Sequence, residues 1–128
     1  MSNLREKEVI TLQLQTGLST QTVSKKVLGG KIVGVAVYHT PIEIANGYVE
    51  NCSMTIKTDS GEKLIETQPV LNLRSRDASY PDSFVPVDFQ GGQNLNFEIK
   101  NRVPFATDAV FFDIILIYDE TDFIKKSC

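Results

Sequence analysis

The chain has 128 residues, a formal net charge of −3, 41% hydrophobic and 23% charged side chains, two cysteines, one histidine and no tryptophan. That length suits a single domain, residues 1–128, with a sizeable core, and the mildly acidic, sign-interspersed charge lacks the basic footprint of a nucleic-acid-binding surface. No apolar run nears the roughly 20 residues that cross a bilayer, and charges fall where a secretory signal needs an apolar stretch. Neither nucleic acid nor membrane is an expected partner, and synthesis in a cytoplasm is the expected starting point.

In chain order, Pro and Gly stand at boundaries and β-branched or aromatic residues fill the segments between them, the pattern of a β domain. No window shows a convincing 3.6-residue apolar period. Residues 1–8 read as a flexible N-terminal arm, with Asn3 a candidate cap for a helical turn. Residues 8–16 alternate, with Ile10, Leu12 and Leu14 on one face. The Ser/Thr/Gln-rich residues 16–24 read as a loop or irregular edge, and residues 26–28 as a short strand ended by Gly29–Gly30. Residues 31–40 form a strong strand, with Val33, Val35 and Val37 on one face and Ile32, Gly34, Ala36 and Tyr38 on the other.

Pro41 stops that strand and Asn46–Gly47 marks a turn. Residues 48–58 carry Cys52, Met54 and Ile56 inward; Asp59-Ser60-Gly61 reads as a hairpin turn and residues 62–67 as the returning strand. Residues 70–73 read as a brief strand and residues 74–84 as a polar loop. Residues 85–89, holding Pro86, suit an edge strand. Gly91–Gly92 turns the chain into Leu95, Phe97 and Ile99. In the last strand Val110, Phe112, Ile114, Leu116 and Tyr118 share one face, while Phe111, Ile115 and Ile117 make the other apolar too. The fold class is all-β: an antiparallel sandwich of about eight strands, jelly-roll-like.

Catalytic chemistry finds little footing. His39 is the one histidine; it stands at a strand end, no serine lies in a Gly-x-Ser-x-Gly turn, and a single histidine does not make a multi-histidine metal site. The cysteines lack CxxC spacing and are expected as thiols. Neither Gly29–Gly30 nor Gly91–Gly92 has the residues of a phosphate cradle. Asp77, Asp82 and Asp88 read as solvated loop carboxylates. No enzyme activity, metal or cofactor is expected.

Two groups of residues are candidates for recognition. Tyr80 and Phe84, beside Asp82 in SRDASYPDSFVP, form an exposed-looking aromatic cluster for an interaction loop. Phe111, Asp113, Ile115 and Ile117 form the second apolar face of the last strand, and a strand greasy on both faces belongs at a sandwich centre or a subunit contact. Asp113 interrupts that face, as an ion pair with Arg74, Arg76 or Arg102 or as a charge marking the contact.

The stretch GGQNLNFEIKNRVPFATDAVFFDIILIYDE, through Gly91, Gln93, Leu95, Phe97, Ile99, Asn101 and the final strand, resembles the C-terminal half of single jelly-roll virion proteins of bacteriophages. KKVLGGKIVGVAVYHT resembles their early strand. The resemblance implies a non-enzymatic subunit of a virus particle, acting in the virion by self-association as a homo-oligomer and by contact with other virion proteins. A carbohydrate- or surface-recognition module using Tyr80 and Phe84 is the alternative, and an accessory enzyme domain using His39 a weaker third.

Overall fold

A computed structural model describes residues 7–73 and 84–119 of the chain. The described residues form eight strands: β1 (Lys7–Leu14), β2 (Thr20–Lys26), β3 (Lys31–His39), β4 (Cys52–Thr58), β5 (Lys63–Pro69), β6 (Val85–Gln90), β7 (Asn94–Asn101) and β8 (Val110–Tyr118). Two four-stranded sheets result, ordered β1-β8-β3-β6 and β2-β7-β4-β5, with every neighbouring pair antiparallel. The chain is therefore the all-β sandwich its alternating pattern announces. β1 pairs with β8, β2 with β7, β3 with β6 and β4 with β5, so the pairings nest as in one long hairpin rolled up on itself. No helix among the described residues is long and apolar enough to cross a membrane.

The core lies between the sheets. Leu12, Ile32 and Ile114 from one sheet meet Met54, Phe97 and Ile99 from the other in one cluster, and none of the six has exposed surface. Burying each side chain of this size contributes about 1.5–3 kcal/mol. β8 sits inside its sheet between β1 and β3, and on its outer face Ile115 and Ile117 are covered by Val33, Tyr38 and Phe84.

Several sequence expectations change in the folded chain. Glu8 is buried in β1, which starts at Lys7, so residues 7 and 8 belong to the sheet and not to an arm; residues 1–6, with the expected Asn3 cap, lie outside the described residues. Residues 20–26 form a regular strand, paired with β7 from Thr20↔Lys100 to Lys26↔Asn94. Their polarity reflects an edge position in which Val23 packs on the core. Residues 70–72 make a 3-10 turn that buries Val70.

In β3 the alternation itself shifts. Between Ile32 and Gly34 the partner strand β8 advances one residue while β3 advances two, the signature of a β-bulge. Residues before the bulge exchange faces, so Ile32 joins Val35 and Val37 in the core. Val33 turns outward with Ala36 and Tyr38.

The turns hold as their glycines suggest. Gly61, at φ +96°, closes the β4–β5 hairpin and donates its N–H to the Thr58 carbonyl at 3.0 Å. Asp59 in that turn accepts from the Asn94 and Asn96 amides at 2.9 and 3.1 Å, and these bonds hold its carboxyl below the usual aspartate range. The two glycine pairs meet each other: Gly91 N donates to Gly30 O at 2.7 Å, Gly92 N to Leu28 O at 2.8 Å and Val27 N to Gln93 O at 3.1 Å.

Candidate interaction surfaces

The groups with reactive chemistry are engaged in structure. His39 Nδ1 contacts its neighbour's carbonyl, Thr40 O, at 2.7 Å, and a carbonyl can only accept, so Nδ1 carries the proton. Its ring lies tilted against Phe112, centroids 6.2 Å apart. Cys52 is a buried thiol whose pKa burial pushes up to about 12, the opposite of a reactive cysteine. Cys128 lies outside the described residues. Among the described residues no three His, Cys, Asp or Glu side chains gather as a metal site.

A buried carboxylate, unanticipated from the pattern, ties three segments together. Glu8 is 7% exposed. Its Oε1 accepts from the Tyr118 hydroxyl at 2.7 Å and from Leu28 N at 3.1 Å, while Oε2 meets Lys25 Nζ at 3.2 Å. Burial, first, and the Glu8 carboxylate beside it raise the Tyr118 hydroxyl well above the ordinary tyrosine range. A buried charge satisfied from three directions avoids the desolvation penalty that an unpaired one suffers.

The outer face of the β1-β8-β3-β6 sheet holds the last-strand candidates. Ile115 and Ile117 are already buried within a single chain, in a cluster with Ala36, Val33, Tyr38 and Phe84. Phe84 thus packs over this face in place of standing exposed. A Cβ on Gly34 would lie 2.5 Å from the Phe84 ring, so the glycine leaves the seat in which the ring rests. Tyr80 and Asp82, its expected companions, lie outside the described residues. Asp113 receives the Thr11 hydroxyl at 2.8 Å across the β1–β8 pair. Of its expected cationic partners, Arg102 instead bonds Asn51 at 3.4 Å, while Arg74 and Arg76 lie outside the described residues. Phe111, at 43% exposure, and Val9, at 51%, are the large apolar side chains left open on this face.

At one end of the sandwich three connections lock together. Asn46, in the β3–β4 connection, is 3% exposed. Its Nδ2 donates to Asp108 O at 2.9 Å, and its Oδ1 accepts from Thr107 N at 2.8 Å and Asp108 N at 3.0 Å in the β7–β8 connection. Gly17 N, between β1 and β2, donates to Phe105 O at 3.0 Å, and the Phe105 ring is buried beneath Gly47. The side chains of Leu18, Ile44, Tyr48 and Val103 project from these loops into solvent. At the foot of the cluster Asn101 is buried with Nδ2 lacking an acceptor, while its Oδ1 accepts from Val103 N at 3.1 Å.

A cleft of about 240 Å³ opens between edge strands β5 and β6, lined by Leu64, Ile65, Leu73, Val85 and Val87 with Glu66, Gln68 and Asn72. Beside it Thr67 takes φ +45°, uncommon for a β-branched residue. Thr55 holds it there, its Oγ1 accepting from Thr67 N at 3.1 Å. Sequence periodicity signals neither the cleft nor the loop cluster, because both arise from residues distant in the chain.

In comparisons with known proteins, no family model matches this chain and no curated protein is significantly similar to it.

Proposed function

We propose that this protein is a non-enzymatic structural subunit of a virus particle, built on a jelly roll and working by self-association and by contact with neighbouring virion proteins. The observation that carries the proposal is the nested strand order, β1-β8-β3-β6 over β2-β7-β4-β5. An eight-stranded double sheet rolled from one antiparallel ribbon is the architecture of jelly rolls, which viral shells use repeatedly. Because a fold alone does not assign a function, the sequence resemblance of residues 91–120 to phage jelly-roll proteins adds the viral part of the reading. Locked connections carrying exposed Leu18, Ile44, Tyr48 and Val103 also suit a subunit that meets its neighbours through preformed loops.

Sedimentation velocity with electron microscopy of the purified protein tests this. Discrete oligomers or closed rings at micromolar concentration are expected. A single-chain species at every accessible concentration would count decisively against self-association. The glycan-binding alternative has no comparable support, because Phe84 is engaged over Gly34.

A further inference from the structure

A sandwich of two open sheets has four edge strands, here β1 and β6 of one sheet and β2 and β5 of the other. Each edge presents backbone N–H and C=O groups to any strand able to pair with them, and stable proteins blunt such edges with prolines, bulges, charges or short length. Three of the four carry such devices. β6 has six residues, holds Pro86 and pairs irregularly with β3. β5 ends in Pro69, shifts register twice against β4 and bends at Thr67. β2 is polar along its length and ends in Lys25–Lys26.

β1 carries charge only at its first two positions, Lys7 and the inward-facing Glu8. It runs eight residues in unbroken register with β8, from Lys7↔Ile117 to Leu14↔Val110, without proline or bulge. Beyond Lys7 at its first position, its outward side chains are Val9, Thr11 and Gln13, all uncharged. Val9 is 51% exposed. Among the described residues no strand pairs with its outer side.

We propose that β1 is the edge through which two copies of this chain join, antiparallel about a twofold axis, so that the two β1-β8-β3-β6 sheets become one continuous eight-stranded sheet. The inference rests on the self-association proposed above and names the surface that performs it. The charges of β1 are compatible with a second copy and favour the antiparallel direction. Residues directly opposite across an antiparallel pair share a face. The fullest overlap of two copies of Lys7–Leu14 that keeps like faces together passes the twofold axis through Thr11, setting Val9 opposite Gln13 of the second copy, or through Ile10, setting Val9 opposite Thr11. In either register Lys7 faces a glutamine, Gln15 or Gln13, and Glu8 faces a leucine, Leu14 or Leu12. No like charges meet. A parallel pairing in register would instead place Lys7 beside Lys7.

Charge substitution on the outward face tests the inference by sedimentation velocity, with circular dichroism reporting the fold. With the axis through Thr11, Val9→Lys with Gln13→Lys, and separately Val9→Glu with Gln13→Glu, are each expected to weaken association about tenfold or more, since facing like charges cost several kcal/mol, and mixing the two variants is expected to restore it. With the axis through Ile10, Gln13 faces Lys7, so the lysine variant is expected to weaken association about tenfold and the glutamate variant is not. Disulfide trapping covers the case in which these variants fold poorly. In a Cys128→Ser background, oxidation cross-links Thr11→Cys alone if the axis passes through Thr11. It cross-links an equimolar mixture of Val9→Cys and Thr11→Cys if the axis passes through Ile10. A wild-type oligomer that ignores the charge variants and yields neither cross-link would overturn the β1 interface while leaving self-association standing. A wild-type protein that never associates would overturn both.

Discussion

At the scale of single residues, the positions that matter most are those where the sequence pattern is locally unremarkable. Glu8 reads as one more charge near a terminus, yet it is the buried acceptor joining β1 to β8, the β2–β3 connection and β2 through Tyr118, Leu28 and Lys25. Gly91 reads as a turn glycine. Its folded role is spatial: a Cβ there would run into the carbonyl oxygen of Leu28, a backbone atom with little room to retreat. Gly91→Ala is therefore expected to lower stability by about 2–4 kcal/mol. Urea unfolding followed by circular dichroism measures this, and a change below about 0.5 kcal/mol would show that the two glycine turns can separate without loss. The partners of both residues lie on other segments, which is why neither role is visible in the local pattern.

Elements were legible where alternation was strong and hidden where it was weak. β4, β7 and β8 appear in the sequence as period-two patterns with the correct inward faces. β2 does not, because its outer edge is solvated and Val23 is its main contribution to the core. β3 reads as a strand in the sequence, but its bulge moves Ile32 inward and Val33 outward; a one-residue irregularity leaves no compositional trace. Asn46–Gly47 was legible as a turn, whereas the three bonds of the Asn46 side chain to residues 107 and 108 depend on a contact spanning 61 and 62 positions. Removing that side chain strips two backbone N–H groups and one carbonyl of their partner. Asn46→Ala is expected to cost about 2–3 kcal/mol. Amide exchange at Thr107 and Asp108 should accelerate before exchange in β7 or β8 does. Unchanged protection there would mean that Phe105 alone holds the loops.

For the whole molecule, the core couples stability to alkaline pH. The Cys52 thiol is pushed up to about 12 by burial, and the Tyr118 hydroxyl is raised by burial and by the adjacent Glu8 carboxylate. Both groups hold their protons more tightly folded than unfolded, so above the unfolded cysteine pKa of about 8.5 the unfolded chain binds fewer protons. Stability from these groups is complete below that pH and declines as pH rises, by up to about 1.4 kcal/mol per pH unit for each group. Urea midpoints at about pH 8 and about pH 10.5 should differ in that direction, and Cys52→Ala should remove part of the slope. A pH-independent midpoint would contradict the buried, protonated state of both groups. The self-association proposed above is assigned to the periphery, where β1 is the edge strand with the longest unbroken register.

The sequence by itself determined the all-β class, the approximate strand count, the inward faces of β4, β7 and β8 and the turns at Gly61 and Gly91–Gly92, because each depends on side-chain alternation or backbone freedom within a few residues. Only the tertiary structure decided which strands are neighbours, that the doubly apolar β8 is an interior strand whose outer face is partly closed by Phe84, and that Glu8 is buried. The same holds for the edge status of β1. An edge is a statement about which strand is missing alongside, and that is set by contacts across the whole length of the chain.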